Sequence, residues 1–80
     1  MSQVTLKQIT PEDHETLLTE FEAATLEAFG SPIVPAFERN VDGQGNPIYR
    51  NHSSEAAEDN INACFIGFCI AKGFVGKMSE

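Results

Sequence analysis

Between residues 11 and 29 the apolar positions Leu17, Phe21, Ala24 and Ala28 step by four, three and four, and Leu18, Thr25 and Phe29 widen the stripe. That spacing belongs to an amphipathic helix with one face turned to a core. Thr10-Pro11-Glu12-Asp13 supplies its start: a threonine N-cap, a proline where the missing N–H costs nothing, and acids at the positive end of the helix dipole. Gly30 supplies its stop, so the first helix is expected over 11–29. A second start lies at Ser53-Ser54 with Glu55, Glu58 and Asp59 behind it, and this helix is expected to run to about Lys72. Its stripe of Ala57, Ile61, Cys64, Phe65, Phe68 and Ala71 is expected to face the first helix, with Ile66, Cys69 and Ile70 on the opposite side. Gly67, costly inside a helix, is expected to mark a close crossing.

The connecting residues cannot be helical. Pro32 and Pro35 fix the backbone and remove donors in Ser31-Pro32-Ile33-Val34-Pro35. Two short segments, 36–40 and 47–51, flank Val41-Asp42-Gly43-Gln44-Gly45-Asn46, whose residues tolerate positive φ, and the stretch reads as a β-hairpin or an ordered loop. Residues 3–9 alternate loosely and read as a short strand or extended arm, and 76–80 as a frayed tail. The expected fold is one small α+β domain over 1–80, its helices packed through Leu17, Phe21, Ala24, Ala28, Ile61, Phe65 and Phe68. A helical pair with an irregular connector is the alternative.

Eighty residues leave room for one thin core, which excludes a large enzyme with a deep cleft. Twelve acidic against five basic side chains, a net charge of −7, disfavour direct nucleic-acid binding and anionic membranes. The longest apolar run, Ala63 to Ala71, is far short of the roughly 20 residues a bilayer requires. Met-Ser-Gln-Val is not a cationic, apolar signal segment, so a cytoplasmic location is expected. The C-terminal half of the second helix is apolar almost all round, more than two helices alone can cover. That face calls for cover by the hairpin, by Phe74-Val75 or by another subunit, and homodimerisation through Ile66, Cys69 and Ile70 is the preferred expectation.

No catalytic constellation emerges, and neither enzyme activity nor a cofactor is expected. Cys64 and Cys69 lie about 140° apart around a helix, which prevents a disulfide between them, and both read as reduced core thiols. His14 and His52 sit among polar neighbours and read as solvated. Asp42-Gly-Gln44-Gly-Asn46 begins like a calcium loop but places Pro47 and Ser53 where glycine and glutamate are needed, so no metal site is expected. Two features carry binding chemistry. The first helix has six carboxylates and no Lys or Arg, and Glu20, Glu22 and Glu27 are candidate contacts for a basic partner; the plainer reading is a solubility surface. Phe37, Arg39, Tyr49 and Arg50 join aromatic and guanidinium groups of the kind enriched in binding hot spots. Their plainer reading is that the aromatics close the core while the arginines pair with the acidic helix.

The order of Phe21-Glu22-Ala23-Ala24, Phe37-Glu38-Arg39-Asn40, a Gly-rich turn into Tyr49-Arg50-Asn51, and Cys64-Phe65-Ile66-Gly67-Phe68-Cys69-Ile70-Ala71 resembles small accessory proteins of tailed phages and prophages. The likeness spans residues 20–72, with Phe65 and Phe68 where that family usually places Trp. It implies a viral protein in a bacterial host that inhibits or adapts a host protein or defence complex, and it carries over no catalytic residues. A nucleotide-sequestering protein using Arg39, Tyr49 and Arg50, or a minor assembly subunit, are the alternatives.

Overall fold

The structure, a computed structural model, describes residues 5–77, so the expected strand residues Gln3 and Val4 and tail residues 78–80 lie outside it. In chain order it contains β1 (Lys7–Gln8), α1 (Pro11–Phe29), β2 (Glu38–Val41), β3 (Pro47–Arg50), α2 (Glu55–Ala71) and β4 (Phe74–Val75). The α+β architecture follows: two helices, an antiparallel β2–β3 hairpin and a parallel β1–β4 pair.

Each boundary has a local cause. The Asp13 carboxylate accepts from the Thr10 N–H at 3.0 Å and the Thr10 hydroxyl at 2.9 Å, fixing the entry to α1. Gly30, at φ 77°, ends α1 by donating to the Leu26 carbonyl at 2.8 Å. The Ser54 hydroxyl accepts from the Ala57 N–H at 3.1 Å and starts α2. The hairpin turn is organised by Asp42, whose Oδ1 accepts from the Gln44 and Asn46 N–H groups at 2.9 and 2.8 Å. These donors hold its carboxyl below the ordinary range although partial burial opposes them. Asn46 then pins the chain beyond β4: its Oδ1 accepts from the Lys77 N–H at 2.8 Å and its Nδ2 donates to the Lys77 carbonyl at 2.9 Å. Gly76 and Lys77 are thus held against the hairpin loop where fraying was expected.

The core is Ile9, Leu17, Leu18, Phe21, Tyr49, Phe65 and Cys69, with Ile33, Phe37, Ile61, Phe68 and Phe74 packed against it. Phe21 is its hub, with ring centroids 5.1 Å from Phe65, 5.4 Å from Phe68 and 5.8 Å from Tyr49. These aromatics set the helix spacing where the first half of α1 meets the second half of α2. Beyond them the facing residues are Ala24, Ala28 and Ala57, too short to bridge that spacing, and a groove stays open between the helices. Ala24, Ala28 and Cys64 are consequently exposed, where the sequence pattern placed them in the interface. Cys69 is corrected in the opposite sense. Four residues after Phe65, it shares that residue's side of α2 and is buried at 3% exposure, so it cannot serve in a dimer interface. Gly67 makes no close crossing: a Cβ there would meet nothing within 4 Å.

Candidate functional site

Three of the candidate contact residues converge on one internal network. Arg39, on β2, donates from Nε to Glu22 Oε2 at 2.7 Å and from Nη2 to Glu22 Oε1 at 2.9 Å, a bidentate pair. Its Nη1 reaches Glu15 Oε2 at 3.0 Å. Tyr49, opposite Arg39 in the hairpin register, donates its hydroxyl to Glu22 Oε2 at 2.8 Å. Arg39, aided by Tyr49, holds the Glu22 carboxyl below its usual range against the opposing effect of burial. Burial first, and then the bond to Glu22, pushes the Tyr49 hydroxyl far above its usual range.

This geometry corrects the sequence reading of two residues. Tyr49 has 0% exposure and touches no solvent, so it offers no surface to a partner or a base to stack on. The Glu22 side chain is 14% exposed and committed to Arg39 and Tyr49. The plainer reading of Arg39 holds: it ties the hairpin to the acidic helix. Arg50 lies opposite Glu38 and is exposed. Glu20 lies 3.5 Å from Lys72 Nζ, and Glu27 is exposed. His52 is exposed beside Glu38 at 3.3 Å, whereas His14 is half-buried and its Nε2 has no hydrogen-bond partner among the described residues.

The accessible feature is the gap between the helices beyond the aromatic cluster. It is a groove of about 480 Å³ between the second half of α1 and the length of α2 from Ala57 to Phe68. Phe21, Ala24, Ala28 and Phe29 form one wall, Ala57, Ile61, Cys64 and Phe68 the other, and Phe37 reaches in from the connection to β2. Thr25 and Asn60 are the polar residues among its lining, and Thr25 Oγ1 is already satisfied by the Glu22 carbonyl at 2.9 Å. Phe29 is 73% exposed, a large apolar surface left to solvent at the groove's edge. Leu26 and Val34, both about half exposed, extend the apolar surface in the same stretch of chain. A smaller cavity of about 260 Å³ lies between the hairpin, α2 and β4, lined in part by Ile48, Ile66, Ile70 and Phe74. Ile66 and Ile70 are 59% and 44% exposed, as expected of the outer face of α2.

Of the candidate residues, only Phe37 lines the groove. Its other members escaped notice because a stripe of alanines reads as a close helix contact. The readable signal was the combination of small residues facing each other with a large one, Phe29, at the end of the same stripe. Among the described residues no group of His, Cys, Asp and Glu is disposed to hold a metal ion, and no helix is long and apolar enough to cross a membrane. Comparison with family models, characterised proteins and solved structures finds no match to this chain.

Proposed function

We propose that the protein acts by binding another protein through the groove between α1 and α2, as an inhibitor or adaptor and not as an enzyme. The observation that carries this reading is the groove itself: an apolar surface ending in Phe29 at 73% exposure, which a folded domain keeps open only at a cost in hydration. The phage-type resemblance supplies the setting, the cytoplasm of a bacterial host and a host protein or defence complex as target. The test is capture from bacterial lysate by the immobilised full chain and by Ala28→Arg, with retained proteins identified by mass spectrometry. A specific partner held by the parent and lost by the variant is expected. Equal capture by both, or capture by neither, defeats the reading.

Exposure of Ile66 and Ile70 favours a second reading, a homodimer seated on the outer face of α2. Sedimentation equilibrium tests it: a dimer that Ile70→Glu dissociates supports it, and a monomer across the micromolar range removes it.

A further inference from the structure

The groove is apolar in its lining and acidic in its setting. No Lys or Arg lines it. Of the chain's five cationic residues, Arg39 is held by Glu15 and Glu22, and Lys72 lies beside Glu20. The groove's outer end, between Phe29 and Ala57, lies where α1 stops and α2 begins. There α1 presents its C-terminal carbonyls with no basic residue in the last turn, and Glu27 is exposed nearby. On the other wall α2 opens with Glu55 and Glu58 in its first turn. The α2 N-terminus brings a partial positive charge of about half a unit to this end, which the carboxylates of Glu55 and Glu58 outweigh, so the end is net negative, a potential that disfavours a second copy of a chain carrying −7 and favours a cation. From Ala57 to Phe68 the α2 wall rises about 16 Å, roughly three turns at 1.5 Å per residue. The small side chains Ala24, Ala28, Ala57 and Cys64 leave the width that a partner's large side chains would fill.

We infer that the groove takes an amphipathic helix of about three turns, with large apolar side chains on the face it buries and Lys or Arg flanking them, its cationic end beside the C-terminus of α1. This rests on the reading of the protein as a binder and adds the chemistry of the partner.

Cys64 makes the test direct, because it is the exposed thiol in the groove while Cys69 is buried at 3% exposure. Burial also pushes the Cys69 thiol up to about 11, so alkylation of the folded full chain by iodoacetamide reads Cys64. The probe is a synthetic helix of about fourteen residues with leucines at i, i+4, i+7 and i+11 and lysines elsewhere. Its comparators are the same peptide with glutamate for lysine, and the lysine peptide with its leucines scrambled around the helix. The lysine peptide is expected to slow Cys64 alkylation by roughly tenfold or more at saturation, and to bind Ala28→Arg roughly tenfold more weakly at unchanged melting temperature. Equal slowing by either comparator overturns the inference, as does binding of the lysine peptide without slowing. Slowing that grows with protein concentration alone also overturns it and gives the groove to a second copy. If Ala28→Arg abolishes capture of a lysate partner while no peptide slows Cys64, the binding function stands and this partner chemistry falls.

Discussion

The Tyr49 hydroxyl donates to Glu22 Oε2 at 2.8 Å, joining the inner strand of the hairpin to the middle of the acidic helix. The acceptor is the same oxygen that Arg39 Nε approaches at 2.7 Å, so one carboxylate fastens both strands of the hairpin to α1. Charge removal at Glu22 therefore acts on the fold before it acts on any partner. A hydrogen bond to a charged group contributes about 1.5–3 kcal/mol. We expect Tyr49→Phe to cost about 1–2 kcal/mol, and Glu22→Gln, which also weakens the bidentate pair with Arg39, to cost more. Urea denaturation at pH 7 measures both. Exposed Glu27→Gln, by contrast, should leave the midpoint within error.

The same network sets opposite pH limits. Glu22 titrates below its ordinary value of 4.5 in the folded state, so its contribution is present above pH 4.5 and is lost as pH falls through the lower folded value. Tyr49 is raised above its ordinary 10.0, so its contribution is present below pH 10 and is lost as pH rises further, when only the unfolded tyrosine gives up its proton. With one tyrosine and no tryptophan in the chain, tyrosinate absorbance belongs to Tyr49 alone. It should stay absent at pH 10 in the native protein and appear only together with loss of helical circular dichroism. A smooth titration centred on pH 10 with the helices intact would contradict the burial of this hydroxyl.

Asn62, on α2, treats the hairpin as a missing strand would. Its Oδ1 accepts from the Tyr49 N–H and its Nδ2 donates to the Tyr49 carbonyl, both at 2.8 Å. Asn62→Ala leaves both backbone groups of a buried residue without partners, and a cost of about 2–3 kcal/mol is expected. Hydrogen exchange at the Tyr49 amide should accelerate in step with that loss.

Gly67 lies mid-helix in open space, so its replacement brings helix propensity with no collision. Gly67→Ala should stabilise the protein by about 0.8–1 kcal/mol. In a domain of this size that raises the melting temperature by about 4–8 °C. A fall in melting temperature would mean that some surface requires the glycine.

How far the sequence foretold this structure differs from element to element. The helix boundaries were legible because Thr10, Pro11, Gly30 and Ser54 act on backbone groups within a turn of themselves. The choice between a hairpin and an ordered loop stayed open, but the turn at 41–46 was legible from Asp42 and Gly45 for the same reason. The destination of each apolar face was not, since it depends on which neighbour arrives there. Cys69 and Cys64 exchanged their expected places because β4 and the hairpin cover one flank of α2 while an open groove flanks the other. Arg39, Tyr49 and Glu22 were each singled out, but as outward contacts; that they satisfy one another is a relation across 17 and 27 residues of chain, which periodicity does not carry. Asn62 left no trace in the pattern at all, because its role is to supply two hydrogen bonds to a strand far away in the sequence.

The parallel pairing of Lys7–Gln8 with Phe74–Val75 acts as a clasp on the whole molecule. It closes a loop containing nearly every other residue, at an entropic cost of about 4 kcal/mol. Against this stand the bonds of the ladder, flanked by those from the Lys7 N–H to the Gly73 carbonyl at 2.9 Å and from the Ile9 N–H to the Val75 carbonyl at 3.0 Å, together with the packing of Ile9 and Phe74. The closure cost of such a ribbon is repaid only when the body it encircles is folded. A pull applied before β1 and after β4 would meet the clasp at once, with force running along the two parallel strands in shear, and would reach the aromatic hub only after the clasp had opened.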